Sequence, residues 1–240
     1  QIFFENPKLA RDFLDANYPS RINLQNNIYW GYTFNNSKVE FTVDNLKEIL
    51  DRKKNTAPGF DKIDYSIIKQ LSEANKSQFI KFINNTLKDN YFPRHLGNVK
   101  IVPIPKKSSK IFDIANFRAI ALLPNITKII NSLIKCYLEE SIGHLIPDNS
   151  FGFRKQLSTT HCLNALIHKI VSNKENKLNT AVIYLDISKA FNDVCHITLF
   201  EILKEINIPN VIFQWLILFL KSINLKIDTK DGVVSKYMES

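Results

Sequence analysis

An apolar run that ends on a carboxylate is the first feature of the sequence that could carry out chemistry. Residues 181–185 are Ala-Val-Ile-Tyr-Leu, and Asp186 follows them directly. This pattern predicts a buried strand with Asp186 at its tip, and the residues from Ile187 onward predict the start of a helix. Asp186 could cap that helix or bind a metal ion beside the ring of Phe191, one helical turn later. An aspartate nucleophile of the phosphatase type is disfavoured, because Ser188 stands where that chemistry needs a second acid.

A predicted hairpin carries a cluster of basic residues. The extended runs VKIVPIP and FRAIALLP each contain proline and flank a polar connection, which predicts a hairpin with both strands near a sheet edge. Six basic residues and one acid lie between Arg94 and Arg118. Lys106 directly follows the first predicted strand and Arg118 lies near the start of the second, so both could contact one phosphate. A solvated, lysine-rich sheet edge is the alternative.

Aromatic and basic residues are mixed in the segment SFGFRKQLSTTH, which begins at Ser150. Gly152 permits close approach to the backbone, and Arg154 and Lys155 follow it. Aromatic rings beside basic side chains suit a surface that binds a nucleic-acid strand. A loop whose two phenylalanines fill the core is the alternative.

The elements that would position these residues are helices mixed with antiparallel strands, which predicts an α+β fold. Thr42 predicts a helix cap, Asp231-Gly232 predicts the turn of a last hairpin, and residues 1–40, Asn-rich and weakly periodic, predict a loose lead-in. The residues predicted to lie on buried helix faces are Val43, Leu46, Ile49 and Leu50, then Ile67, Ile68 and Leu71, then Ile126, Ile129, Ile130, Leu133, Ile134, Tyr137 and Leu138.

The composition favours a polyanionic partner. The 240 residues contain 32 Lys plus Arg and 23 Asp plus Glu, a net charge of +9, which indicates nucleic acid first and an acidic membrane surface second. An A/T-rich coding sequence would also enrich lysine.

The three cysteines lack C-x-x-C spacing, which favours a reducing compartment, nucleus or cytoplasm, over a disulfide framework or a zinc site. The longest apolar run, residues 211–220, is too short to span a bilayer and predicts a buried helix.

Five pieces of the sequence, taken in order, resemble the reverse-transcriptase domain of non-LTR (LINE-type) retrotransposons. They are TAPGFDKI, VPIPKKSSKIFDIANFRAIALLPNITKII, SFGFRKQLSTTHCLNAL, YLDISKAFNDVCH and IPNVIFQWLILFLKS. The resemblance implies an RNA-directed DNA polymerase with a right-hand fold. Residues 1–41 would be a lead-in, residues 42–178 the fingers with early palm helices, and residues 179–240 a partial palm with an antiparallel sheet, without the thumb.

The resemblance also implies roles at the reaction centre. Asp186 is similar to the first catalytic carboxylate, and the backbone carbonyl of Ile187 to a further metal contact. Lys106 and Arg118 resemble the residues that grip the triphosphate, and Phe191 resembles the gate that excludes ribonucleotides. Two metal ions held about 3.5–4 Å apart need immobile ligands, which would explain a carboxylate on a buried strand.

The implied partners are an RNA template, a DNA primer and dNTPs, with no membrane. Gly152, Arg154 and Lys155 are similar to the segment that lies along the template and the incoming nucleotide. The implied cofactor is Mg²⁺, two ions in a complete enzyme, with Mn²⁺ as an alternative.

The sequence departs from the family pattern in several places. Asn192 stands where the family motif Ala-Phe-Asp has its aspartate, and Asp193 follows one position later. Ala119 replaces the proline of the family motif Arg-Pro-Ile, and Ser150 replaces a glutamine. The family's Gly-Val-Pro-Gln-Gly loop and two further aspartates do not follow SKYMES in these 240 residues. We therefore expect an incomplete metal site that needs the missing palm and thumb of the same polyprotein. The alternatives are a non-catalytic nucleic-acid-binding remnant of a decayed element, or a decayed fragment that is basic only through codon bias.

Overall fold

The structure, a computed structural model, describes residues 6–18, 35–106, 114–187, 190–191 and 193–238. The helices in these ranges are α1 Pro7–Asn17, α2 Val43–Arg52, α3 Tyr65–Lys69, α4 Glu73–Lys88, α5 Asn125–Ile142, α6 Thr159–Glu175, α7 His196–Glu205 and α8 Asn210–Lys221. The strands are β1 Asn98–Pro105, β2 Phe117–Leu122, β3 Asn224–Thr229 and β4 Gly232–Tyr237. This mixture of helices and strands confirms the predicted fold class at that level.

The chain divides into two compact units. Residues 1–137 together with residues 194–240 form the first unit, and residues 138–193 form the second. The four strands and α1 to α4 lie in the first unit. The loop SFGFRK, helix α6 and Asp186 lie in the second.

A local sequence signal places the start of α2 correctly. The Thr42 hydroxyl accepts a hydrogen bond from the backbone N–H of Asn45 at 3.2 Å, and the Asn45 side chain accepts one from the Thr42 N–H at 2.9 Å. This reciprocal pair satisfies two backbone donors that a helix start leaves without partners. Leu46, Ile49 and Leu50 are buried on the inner face, as predicted.

The other predicted helix faces are confirmed in part. In α5, Ile129, Ile130, Leu133 and Ile134 are buried, whereas the remaining three predicted residues are half-buried. In α3 the prediction is wrong for Ile67, whose side chain is 55% exposed. The helix has only five residues, and Tyr65 and Ile68, three positions apart, take its buried face.

Both predicted hairpins are confirmed, and they join into one sheet with the order β2-β1-β3-β4. The β1–β2 and β3–β4 pairs are antiparallel, whereas Asn98–Lys100 of β1 pair in parallel with Asn224–Lys226 of β3. The expectation that both strands of the first hairpin lie near an edge is wrong for β1, which is interior. Pro103 and Pro105 are accommodated because they lie beyond the short parallel ladder, where no bond to β3 is needed. Within residues 179–240, the described strands β3 and β4 form an antiparallel pair, and this pair is part of the same sheet.

Helix α1 covers one face of this sheet. Its Ala10, Phe13 and Leu14 are fully buried, and they belong to one apolar cluster with side chains of β1 and β3, namely Val99, Ile101, Leu225 and Ile227. The prediction of a loose lead-in is therefore wrong for Pro7–Asn17. The local signals of the helix are Pro7 in its first turn and the Asn6 side chain, which accepts a hydrogen bond from the Lys8 N–H at 2.7 Å.

The predicted buried strand before Asp186 is not formed. Residues 181–187 belong to no strand and are exposed, with Leu185 at 92% and Ile183 at 82%. A strand needs a neighbour to pair its backbone groups, and no strand in the described ranges pairs with this segment. The helix predicted from Ile187 begins only at His196, and residues 190, 191 and 193 lie in turns.

Some predictions fall outside the described residues. They concern Lys107, Lys110 and Asp113 of the hairpin connection, and Ser188, Lys189 and Asn192 after Asp186. Within the described ranges, no helix has the length and apolar character needed to cross a membrane.

Candidate functional site

The first hairpin brings Lys106 and Arg118 to one side of its far end. Arg118 faces Ile104 across the β1–β2 ladder, and the Lys106 N–H donates to the Asn116 carbonyl at 2.8 Å, which continues the same register. Lys106 and Arg118 are therefore diagonal neighbours, and such positions in an antiparallel pair lie about 7–8 Å apart. Both residues are exposed. Two long cationic side chains at this spacing can contact one polyphosphate.

The sheet carries several charged side chains on the side opposite α1. Because side chains alternate along a strand, Lys100, Arg118 and Lys226 lie on the face opposite the buried Val99, Phe117 and Leu225. The Lys100 Nζ also pairs with Asp228 Oδ2 at 2.8 Å. This face combines several cations with one carboxylate, an arrangement suited to binding anions along the sheet.

An aromatic ring that the sequence analysis did not single out lies between two of these lysines. The Nζ atoms of Lys100 and Lys226 are 5.6 Å and 5.5 Å from the centroid of the Phe60 ring. Both distances are within the range of cation–π attraction, so the ring holds the two ammonium groups side by side. Phe60 lies in the piece TAPGFDKI, which the sequence analysis used only for the family resemblance.

Close backbone packing places Phe60 at the sheet. A Cβ on Gly59 would lie 2.7 Å from the Pro124 nitrogen and 2.9 Å from the Leu123 carbonyl carbon. Both atoms belong to the backbone and cannot move aside, so only glycine fits. The Lys128 Nζ donates to the Ala57 carbonyl at 3.3 Å and fixes the same loop. Burial, and then the nearby charge of Lys53, lower the pKa of Lys128.

Asp186 stands on an exposed segment of the second unit. Its side chain and that of Ile187 are both exposed, the latter at 77%. A carboxylate in this position is open to a metal ion or to solvent. The immobility that was predicted for it is not provided by a strand in the described ranges.

Phe191 and Phe153 form an aromatic pair in the second unit. Their ring centroids are 6.0 Å apart and the planes are nearly perpendicular, at 87°. Phe191 is nevertheless 78% exposed and Phe153 86% exposed, so neither fills the core. Phe153 also adopts φ +61°, which is uncommon for a bulky side chain. The interpretation of SFGF as a loop that plugs the core is therefore wrong for Phe153.

The other residues of this loop have local partners. Arg154 donates to the Pro147 carbonyl at 3.1 Å and lies 3.9 Å from an Asp148 carboxylate oxygen, and the Lys155 Nζ lies 3.8 Å from Glu139 Oε2. A Cβ on Gly152 would contact nothing within 4 Å. Internal packing therefore gives no reason for glycine here, and the open space beside it is compatible with an approaching strand.

Metal-binding side chains are not gathered in the described part of the chain. No group of three or more His, Cys, Asp or Glu side chains there could hold a metal ion. Hard cations such as Mg²⁺ prefer several oxygen ligands. Asp186 and the Ile187 carbonyl could supply two of them, so the residues present fit only part of such a site.

Comparison with known proteins matches this chain to one family model and to several proteins described as RNA-directed DNA polymerases. A family model described as reverse transcriptase (RNA-dependent DNA polymerase) matches residues 104–237. The chain is 28% identical over 204 residues to "RNA-directed DNA polymerase from mobile element jockey" of Drosophila funebris, which covers 83% of this chain and 22% of the relative. It is 33% identical over 160 residues to the jockey protein of the same description in Drosophila melanogaster, covering 64% and 17%. It is 30% identical over 156 residues to "Probable RNA-directed DNA polymerase from transposon X-element" of that species, covering 63% and 17%. The chain spans about a fifth of the length of these curated relatives.

Proposed function

The chain belongs to the reverse transcriptase (RNA-dependent DNA polymerase) family, and on that premise we propose that it forms part of the polymerase of a non-LTR retrotransposon. The reaction would be transfer of a nucleotide from a dNTP to the 3′-hydroxyl of a DNA primer on an RNA template. The observation that carries the proposal is the family match over residues 104–237, which includes Lys106, Arg118 and Asp186 in chain order. Nucleus or cytoplasm remains the expected location.

The proposed fold is the right-hand fold of polymerases. The hairpin β1–β2 would belong to the fingers, within residues 42–178, and residues 179–240 would begin the palm. Because β3 and β4 share one sheet with β1 and β2, this sheet would join the fingers to the beginning of the palm.

The proposed roles follow from charge and position. Lys106 and Arg118 would bind the triphosphate, because two cations on neighbouring strands can neutralise adjacent phosphates. Phe191 would pack against the sugar of the incoming nucleotide. The loop with Gly152, Arg154 and Lys155 would lie along the template.

Asp186 and the Ile187 carbonyl would hold Mg²⁺, or Mn²⁺ in its place. Metal ions held there would supply positive charge to lower the pKa of the primer hydroxyl and to stabilise the leaving pyrophosphate. The described residues do not gather further carboxylate ligands around Asp186.

A primer-extension experiment tests the proposed function. We expect the 240-residue chain alone to add no nucleotide to a primed RNA template with Mg²⁺, because one carboxylate cannot hold two metal ions. A chimera that joins, after Ser240, the segment that follows the matched region of the Drosophila funebris jockey polymerase is expected to extend the primer. Synthesis by the chain alone would contradict the expected incomplete site. An inactive chimera that still binds template and primer would favour the non-catalytic remnant.

A salt titration tests the role of the hairpin in binding. We expect the chain to bind an RNA–DNA hybrid without sequence preference, with a log–log slope of roughly 0.7–0.9 per phosphate contacted. Changing Lys106→Ala together with Arg118→Ala should lower that slope by about two contacts, as measured by fluorescence anisotropy. The matched control is Lys81→Ala with Lys88→Ala, which removes the same charge from exposed positions of α4. Equal slopes for the two double variants would mean that only overall charge matters.

A further inference from the structure

Strand β4 forms one outer edge of the four-stranded sheet. It is the last strand in the order β2-β1-β3-β4, and within the described ranges β3 is its only strand partner. The two strands pair at six successive positions without a bulge, and β4 contains no proline. Bulges and prolines are common features that keep a sheet edge from further pairing. Neither of them protects the outer edge of β4.

Three backbone positions of β4 present hydrogen-bonding groups at this edge. The Met238 N–H donates to the Ile223 carbonyl at 3.1 Å, so these two residues form a hydrogen-bonded pair. In an antiparallel ladder such pairs alternate with pairs that share no hydrogen bond. Val233, Ser235 and Tyr237 therefore belong to the second kind of pair, and their N–H and C=O groups point away from β3. A further strand could bond to these groups.

The side chains of the same three residues form a notch on the face of the sheet opposite α1. Ser235 is the Cα partner of Lys226, so both side chains lie on that face. Val233 and Tyr237 are 54% and 58% exposed, and the smaller Ser235 lies between them. An apolar side chain on an added strand would fit beside Ser235 and cover both of its neighbours.

A cavity of about 580 Å³ adjoins the Tyr237 end of this edge. The row of Cα partners Asn98, Asn224 and Tyr237 across β1, β3 and β4 forms one of its walls. Three lining residues are cations, and no carboxylate is among the lining residues. In the described part of the chain, these cations form no ion pair with an acid. They are Arg94, Lys221 and Lys226.

The charges on the two faces determine which kind of strand fits the edge. On the α1 face, Lys236 of β4 is already paired, because its Nζ lies 2.6 Å from Asp15 Oδ1. On the opposite face, the cations of the cavity remain open to an acidic partner. A strand antiparallel to β4 would begin beside Tyr237, and every second side chain would lie on the cationic face. Acidic residues at the first of these positions would pair with the cations.

We propose that the β4 edge and the adjoining cavity bind an extended acidic segment of a partner protein. The segment lies antiparallel to β4 and forms backbone hydrogen bonds with Val233, Ser235 and Tyr237. It places an apolar side chain beside Ser235 and its acidic side chains near Arg94 and Lys221. In such strand addition, main-chain hydrogen bonds give affinity and alternate side chains give specificity. None of the roles proposed above uses this edge.

The test uses a designed peptide with this pattern, acetyl-Asp-Thr-Glu-Thr-Val-Thr-Val-amide with a fluorescent label. Fluorescence anisotropy measures its binding to the 240-residue chain, and we expect saturable binding that weakens as salt rises. Methylating the amide nitrogens of the glutamate and the first valine removes two donors that face β4. We expect the methylated peptide to bind at least about tenfold more weakly. A peptide with lysine at both acidic positions should also bind at least about tenfold more weakly.

Variants of the chain test the two parts of the site separately. Ser235→Pro removes one donor that faces the outer edge, where proline is tolerated in a strand, and should weaken binding about five- to tenfold. Ser235→Thr keeps the N–H and is the matched control, and melting temperatures show whether both variants are folded. Lys221→Gln should weaken binding of the acidic peptide about threefold. Lys88→Gln, an exposed change on α4, should leave it unchanged.

Four results would overturn the proposal. The first is absent binding, or equal binding of the methylated and unmethylated peptides. The second is a chain that sediments as a dimer but becomes a monomer in Ser235→Pro, which would assign the edge to a second copy. The third is a loss of oligouridylate binding without a loss of peptide binding in Arg94→Gln and Lys221→Gln, which would assign the cavity to nucleic acid. The fourth is peptide binding that disappears when the jockey segment is joined after Ser240, which would assign the edge to the protein's own continuation.

Discussion

Changing Asp186 to asparagine is expected to lower templated DNA synthesis by at least about a thousandfold in an active polymerase that contains this segment. By holding the metal, a ligand carboxylate lowers the free energy of the charged transition state by several kcal/mol. Each 1.36 kcal/mol corresponds to about a tenfold change in rate. Asparagine keeps the size of the side chain but removes its charge. Because Asp186 is exposed, the substitution should leave the melting temperature unchanged within about 1 °C.

The measurement is single-turnover incorporation of one dNTP by the chimera with the jockey segment. Asp193→Asn is the matched control, since it removes the same charge seven residues later in the same segment. We expect Asp193→Asn to lower the incorporation rate by less than about tenfold, as expected for a residue outside the metal site. Similar losses for the two variants would mean that Asp193 also serves as a ligand. A small loss for Asp186→Asn would remove Asp186 from the reaction centre.

The elements that could be predicted from the sequence are those whose signals are local. The cap at Thr42 and the turn at Asp231-Gly232 lie within a few residues of the structure that they determine. The same holds for Lys106 and Arg118, because strand alternation across a hairpin fixes which side chains share a face. These positions agree with the structure for that reason.

The elements that could not be predicted depend on partners far away in the chain. The parallel pairing of β1 with β3 joins residues more than a hundred positions apart, and no local pattern specifies it. Helix α1 had a local signal at Asn6-Pro7, but its buried face exists only because the joined sheet offers Val99 and Leu225. Phe60 and Asn224 acquire their positions from the same long-range pairing.

The segment before Asp186 shows the same dependence on a distant partner, because the predicted strand does not form without one. Its continuous run of apolar and β-branched residues is a strand pattern, yet a strand forms only where a neighbour supplies hydrogen bonds. Tyr184 at 83% and Leu185 at 92% exposure leave a large apolar surface uncovered. Such a surface is typical of a segment that is covered by another part of a protein or by a partner. Covering it would also give Asp186 the rigidity that metal binding requires.

Phe191 to alanine is expected to raise ribonucleotide incorporation by about a hundredfold relative to deoxyribonucleotide incorporation in the same active chimera. If the ring lies beside the sugar of the incoming nucleotide, it occupies the space that a 2′-hydroxyl needs. Selection by such a clash penalises the wrong substrate and leaves the right one little affected. A hundredfold change corresponds to about 2.7 kcal/mol, within the range of a steric penalty at one atom. Phe191→Val should give a smaller increase, because part of the side chain remains.

The exposure of Phe191 makes this result easy to interpret. Truncating a buried phenylalanine costs about 3–5 kcal/mol of stability and would impair both activities together. Phe191 is 78% exposed and its ring contacts Phe153 edge to face, so we expect only a small fall in melting temperature. Phe153→Ala is the matched control, since it removes the other ring of the pair while Phe191 remains. A changed sugar ratio in Phe191→Ala but not in Phe153→Ala assigns the selection to the Phe191 ring itself. An unchanged ratio of ribonucleotide to deoxyribonucleotide incorporation in a folded, active Phe191→Ala enzyme would mean that Phe191 does not exclude ribonucleotides.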